Sequence, residues 1–426
     1  MKMHPYWLDS RPAFRGATPG DLPEKADVVV VGGGFCGLST ALAVAKRGGS
    51  VLLLEAGAVG EAASGRNGGQ CNNGFAHDYG SVRAEIGAAR AEALYRAYDD
   101  AVDTVERIVR EEAIDCAFER RGKLKLAGSA AAFEKFRASA ELLQCEADPE
   151  CFLVEKADLG SEIGSDVFHG GLVYPKSAQV HVGRLAVGLA EAAVRHGADI
   201  REDAPVTGLT RLEGDRYRVT TPRGSVEAGQ VVLATGTSQQ GPLFHFRRRI
   251  VPIGSFVLAT EPLSEALCAR ILPQRRSTTV ARTIGNYFRF SPDNRLIFGG
   301  RARFAISNPT QDRKSGAVLH RQMLEYFPYL ADTRIDYCWG GVIDATRDRH
   351  PRAGQHRGLY YAMGFSGHGV QMATHMGGVL ARMLEGDSAA NPFAAMDWPA
   401  IPGHFGPPWF LPLVGAYYTV KDRFAA

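Results

Sequence analysis

The chain has no C-x-x-C pair, no internal repeat, no low-complexity stretch and no strong charge imbalance. Its seven cysteines, Cys36, Cys71, Cys116, Cys145, Cys151, Cys268 and Cys338, are scattered. Such an odd, unpatterned set fits reduced thiols in a cytoplasmic protein and argues against zinc, so no metal site is expected. Lys plus Arg total 49 against 46 Asp plus Glu, a net charge of +3 over 426 residues, which leaves no nucleic-acid footprint. No apolar run reaches the ~18 residues a membrane helix needs. The opening MKMHPYWLDSRPAF lacks the apolar core of a signal peptide. The run Phe246-Arg247-Arg248-Arg249 reads as a solvated loop. The apolar tail GPPWFLPLVGAYY, whose prolines forbid a long helix, is expected to pack on the body, with contact to a partner or a membrane edge the lesser reading.

What is present is informative from residue 26 onward. The hydrophobic content of 45% over this length supports a large core and two domains. The stretch ADVVVVGGGFCGLSTALAVAKRGGSVLLLEAG reads as strand, tight turn, helix and strand. Val28 to Val31 form the short apolar run of a parallel strand buried on both faces. Gly32, Gly34 and Gly37 fit G-x-G-x-x-G, with Gly33, Phe35 and Cys36 between them. The first glycine permits the turn, the second the approach of a pyrophosphate, the third close helix packing. The helix runs from about Leu38 to Arg47, and Val51 to Leu54 form the second strand. Glu55, followed by Ala56, lies where a carboxylate accepts from both ribose hydroxyls and repels a 2′-phosphate. The fingerprint predicts a dinucleotide site and leaves NAD and FAD open.

The later segments decide between them. Residues ~82 to ~112 carry helical periodicity, 119–127 a strand with a turn at Gly122, and 130–145 another helix. Rossmann-like pieces return at ~170–236, ending in Ala234-Thr235-Gly236 after Val206, and at ~358–386. This predicts an α/β fold in which a Rossmann-like FAD domain (26–81, 166–236 and 339–390) is interleaved with a mixed-sheet α+β substrate domain (82–165 and 237–338). Residues 391–426 form the tail. An NAD dehydrogenase usually keeps its nucleotide domain in one block, so FAD leads. GFSGHG, with Gly364, Gly367, His368, Gly369 and Val370, supplies a helix N-terminus able to stabilise negative charge on a reduced flavin. In ASGRNGGQCNNG, Gly68-Gly69 let backbone approach the ring, and Ser64, Arg66, Asn67 and Gln70 offer hydrogen bonds.

With these motifs the chain resembles the FAD-dependent D-amino acid oxidase superfamily. YWLDS, EAASGRNGGQCNNG and WGGVIDATRDRHPRAG look most like its γ-glutamylputrescine oxidase branch. Close relatives in that superfamily oxidise other amines, pipecolate among them. The resemblance implies FAD, a small-molecule amine substrate, and oxygen or another electron acceptor. It also exposes departures. Ile343 stands where glycine and D-amino acid oxidases carry a carboxylate-clamping arginine, and Gln371 where sarcosine oxidase carries a lysine. Gly341 stands where sarcosine oxidase tethers its flavin through cysteine, with Cys338 out of register, so non-covalent FAD is expected. The missing cations argue against a simple α-amino acid.

Asp344 offers a partner for a cationic amine, or a salt bridge with Arg347 or Arg349. His368 is either the ionisable residue that faces the flavin or a turn histidine with no chemical role. Tyr287 and Arg289, alternating on NYFRF, either turn one face into the pocket, with Arg289 reaching a carboxylate remote from the amine, or form an ordinary sheet face with a surface arginine; Trp339 either walls the pocket or belongs to the core. Three readings stand: an amine oxidase using oxygen, a flavin dehydrogenase passing electrons to a quinone, and a non-catalytic flavoprotein.

Overall fold

Val28–Val31 lie at the centre of a sheet whose two faces both bury apolar residues. Val28 and Val30 point into one core with Leu53 and the helix residues Leu38 and Leu42. Val29 and Val31 point into another with Leu52, Leu54 and Val219. The uninterrupted run of valines follows from this two-sided burial. The structure is a computed structural model, described here for residues 1–238, 243–282, 285–300, 306–394, 396–411 and 415.

The sheet runs in the order Arg352–His356, Leu359–Met363, Gly224–Leu233, Lys25–Val31, Val51–Leu54, Asp199–Arg201. The last five of these pair in parallel. Helices Phe35–Lys46, Val182–Arg195 and Gly369–Leu384 supply buried residues to one of its faces. A second eight-stranded sheet runs Ile335–Ala345, Val251–Thr260, Leu296–Gly300, Asn286–Phe290, Ser277–Val280, Lys123–Leu126, Gly170–Tyr174, Phe152–Glu155. Its pairs are antiparallel except the one between Ser277–Val280 and Lys123–Leu126.

The sheets redraw two domain boundaries. Gly170–Tyr174, which a boundary at 166 puts in the nucleotide domain, pairs on both sides within the second sheet. The boundary at 339 falls inside Ile335–Ala345, which stays paired with Val251–Thr260 to Ala345. Local pattern marks a strand and says nothing of its neighbours, which are fixed by contacts far away in sequence. The periodic stretch 82–112 is two helices, Tyr79–Ile86 and Ala88–Glu111, separated by Gly87 at φ +85°.

The arginine run is not a free loop. Phe244–Arg247 form a helical turn, Phe246 is buried, and Arg249 Nε donates to the Trp398 carbonyl. The tail begins by packing there, with the Ile401 N–H donating to the Arg248 carbonyl and His404 Nε2 2.7 Å from the Ile250 carbonyl. The rest of the tail, 412–414 and 416–426, lies outside the described residues. No helix among the described residues is long and apolar enough to cross a membrane.

Candidate functional site

One cavity of about 840 Å³ runs from the glycine turn to the face of the second sheet. At its nucleotide end it is lined by Gly32, Gly34, Phe35, Cys36, Glu55, Ala56 and Ser64, with Val206, Ala234, Thr235 and Gly236 along the rim. Gly33 and Gly37 stand behind this lining. Gly37 is where the helix meets the turn: a Cβ there would lie 1.8 Å from the Gly32 carbonyl oxygen. Glu55 Oε2 accepts the Gly33 N–H at 2.5 Å and Oε1 the Gly57 N–H at 2.9 Å, so the carboxylate braces the turn it borders. Burial pushes its pKa up, and the Gly57 and Gly33 N–H groups oppose that shift. Glu55→Ala is expected to cost about 2–4 kcal/mol of FAD affinity through lost charge-assisted hydrogen bonds. Titration of the apoprotein with FAD measures it, and an unchanged Kd contradicts the assignment.

The loop after Glu55 is held open by its own side chains. Ser64 Oγ accepts the Phe35 N–H, and Asn67 Nδ2 donates to the Ala63 and Ser64 carbonyls while its Oδ1 accepts the Gly69 N–H. Arg66 Nε donates to the Glu61 carbonyl and Nη1 to that of Gly340, which ties the loop to strand Ile335–Ala345. Ser64, Arg66, Asn67, Gly68 and Gln70 line the cavity.

Gly69 does not line it. At φ +74°, its Cβ position would lie 2.1 Å from Arg289 Nη2, so its bareness makes room for that arginine.

Arg289 therefore does not reach for substrate. It is 2% exposed and donates to the carbonyls of Gly68 (2.8 Å), Phe290 (3.1 Å) and Val180 (2.5 Å), with its guanidinium 4.9 Å from the Trp7 ring centre. Burial pulls its pKa down to about 10. Trp339 also lies behind the cavity, 1% exposed, its Nε1 donating to the Arg66 carbonyl. Both residues support the loop that was expected to approach the ring. Tyr287 does line the cavity, with its hydroxyl 3.2 Å from that of Ser255.

Ile343, Asp344, Gly367, His368, Gly369, Val370 and Gln371 also line the cavity. Gly364 sits behind them and donates its N–H to Asp344 Oδ2 at 2.7 Å. Burial pushes the Asp344 pKa up to about 6, against the pull of the Gly364 and Phe365 N–H groups. Helix Gly369–Leu384 begins after His368 with no side chain capping it, so its first N–H groups remain available at the wall. Burial pulls the His368 pKa down to about 3, which keeps the ring neutral, and its Nδ1 has no partner among the described residues. Gln371 is 1% exposed. Its Nε2 donates to the Asn72 carbonyl and its Oε1 has no partner among the described residues.

A glycine turn braced by a carboxylate, a free helix N-terminus and two orphaned buried polar atoms on residues of one elongated cavity fit FAD. Asn72, Ser255, Thr279, Arg282, Asn286, Ser307 and Arg349 also line it and were not expected. They come from separate strands and loops that only the tertiary fold brings together.

Residues 27–383 match the family model described as DAO, FAD dependent oxidoreductase. A probable oxidoreductase OrdL of Haemophilus influenzae is 32% identical over 394 residues, covering 90% of this chain and 88% of its own. The gamma-glutamylputrescine oxidoreductase of Escherichia coli is 31% identical over 405 residues, covering 93% of each chain. The crystal structure of glycine oxidase from Geobacillus kaustophilus shares the fold, with a TM-score of 0.75 at 21% identity over 89% of this chain and 100% of that one. The chain belongs to the DAO family of FAD-dependent oxidoreductases.

Proposed function

We propose that the protein oxidises the C–N bond of an aliphatic primary amine, a γ-glutamyl-capped diamine such as γ-glutamylputrescine. The products are an aldehyde and ammonia, with oxygen reduced to hydrogen peroxide. The observation that carries this reading is the wall made by Ile343, Asp344 and Gln371. An α-amino acid bound there would bring a second carboxylate against Asp344 with no cation contributed by these three residues. An amine whose carboxylate lies many bonds away avoids that repulsion.

FAD, when bound, supplies the acceptor for a hydride equivalent from the carbon bearing the amine. The protein's own part is binding and desolvation. Asp344, with its pKa near 6, is suited to hold the incoming ammonium and take up its proton. Neutral His368 offers a hydrogen bond without adding charge, and Tyr287 closes the chamber from the second sheet. Non-covalent FAD is supported by Cys338, which is buried and directs its Sγ to the Asp312 carbonyl rather than the cavity. The seven free cysteines favour a reducing, cytoplasmic setting. The gamma-glutamylputrescine oxidoreductase relative supports the choice of amine.

A second reading, oxidation of an imino acid such as pipecolate with electrons passed to a quinone, draws on Arg349. That residue lines the cavity, and its charge acts on His368. Turnover in air separates the two. The capped diamine is expected to exceed glycine, sarcosine, D-alanine and pipecolate in kcat/KM by at least about 100-fold, or ~2.7 kcal/mol, with peroxide formed in step. A preference for pipecolate, with reduction of a quinone and no peroxide, overturns the first reading in favour of the second.

A further inference from the structure

We infer that Arg282 anchors the carboxylate at the far end of the substrate, a role that rests on the amine-oxidising reading above and names its specificity residue. Arg282 lies in the turn of the hairpin joining Ser277–Val280 to Asn286–Phe290, in which Thr279 pairs with Tyr287. Thr279, Val280, Asn286 and Tyr287 line the same cavity as Arg282, so the hairpin forms one side of the chamber. The backbone is held where it leaves Val280. The Ala281 N–H donates to the Leu126 carbonyl and the Arg282 N–H to that of Val280, each at 2.9 Å. The side chain has a seat as well: a Cβ at Gly128 would lie 3.1 Å from Arg282 Nε.

The charge of Arg282 meets no acid at ion-pair distance among the described residues. The acids that line the cavity, Glu55 and Asp344, belong to other elements. Arg66 differs, since its guanidinium is used on the Glu61 and Gly340 carbonyls. A guanidinium that lines a cavity, is exposed to it and lacks an acid partner is suited to a carboxylate delivered by a ligand.

The spacing agrees with that assignment. Ser277–Val280 and Ile335–Ala345 are four strand steps apart in the second sheet, about 19 Å at ~4.8 Å per step. In an extended γ-glutamyl-diaminobutane, about ten bonds separate the reacting nitrogen from the α-carboxylate, which is ~12 Å at ~1.2 Å per bond. The length of the arginine side chain supplies the rest. An α-amino acid held at Asp344 is far too short to reach this hairpin, whereas the capped amine spans the chamber.

The test compares γ-glutamylputrescine with N-acetylputrescine, which has the same amine and a neutral cap, on wild type, Arg282→Ala and Arg282→Lys. Flavin content serves as the folding control. Arg282→Ala is expected to raise KM for the glutamyl amine at least about tenfold while leaving kcat, and both parameters for the acetyl amine, unchanged, because the lost contact is remote from the reacting carbon. Arg282→Lys should restore part of the loss. Arg282→Glu should reverse the preference in favour of spermidine, whose far end is cationic.

Calorimetric binding of γ-glutamyl-butylamide, which has no amine to oxidise at that end, reads the anchor without turnover. Wild type that oxidises neither amine refutes the amine reading alone. Equal affinity of wild type and Arg282→Ala for γ-glutamyl-butylamide, or an unchanged KM for γ-glutamylputrescine, overturns the role of Arg282.

Discussion

Gly37→Val is expected to give a folded protein that retains no FAD. The valine Cβ would have to occupy a point 1.8 Å from the Gly32 carbonyl oxygen; the backbone fixes the Cβ position and the oxygen is itself backbone, so no rotamer relieves the overlap. Helix Phe35–Lys46 must then move off the turn. That displaces the Gly34 and Phe35 backbone from the cavity and breaks the bond between the Phe35 N–H and Ser64 Oγ. Because ten of the helix's twelve residues are buried, the movement also costs packing, about 1–3 kcal/mol by the usual scale of overpacking. Gel filtration followed by the flavin absorbance spectrum reads the result directly. A yellow variant with wild-type flavin content would show that the glycine turn is not the pyrophosphate cradle.

Arg289→Ala is expected to act on stability and not on substrate affinity. Removing the guanidinium leaves the carbonyls of Gly68, Phe290 and Val180 without this donor in a buried site, and leaves a void beneath Trp7. The combined loss is about 3–5 kcal/mol, seen as a lower urea midpoint with little change in the slope. Since Gly68 lines the cavity and Gly69 leans on Arg289, FAD retention should weaken in parallel. A substrate-binding arginine would behave oppositely, with KM raised and the urea midpoint unmoved. That opposite result would place Arg289 in the cavity after all.

The contrast between these residues shows what is legible in a sequence of this kind. The turn from Val28 to Glu55 closes on itself within about thirty residues, so its strand, turn, helix and carboxylate follow from local spacing. GFSGHG is legible for the same reason, as a turn opening a helix. Arg289 and Tyr287 look equivalent, since they sit two apart on one strand face. Only the loop folded over that face decides that Tyr287 meets the cavity and Arg289 meets carbonyls. Trp339, open in the sequence between pocket wall and core, belongs to the core, where its Nε1 donates to the carbonyl of the Arg66 loop. The domain boundary at 339 failed because Ile335–Ala345 carries its pairing in the second sheet right up to the cavity wall. Arg282 and Arg349 lie in irregular segments with no periodicity to give them a face, and only tertiary structure brings them to the site.

The most direct measurement of the central claim is anaerobic mixing of the purified, flavin-loaded protein with single amines, followed by the flavin absorbance. γ-Glutamylputrescine is expected to bleach the flavin fully and quickly, and admission of air should restore the colour with one peroxide per flavin. Glycine, sarcosine and D-alanine should leave the spectrum oxidised over the same time. Bleaching by a small α-amino acid in preference to every amine lacking an adjacent carboxylate would contradict the account.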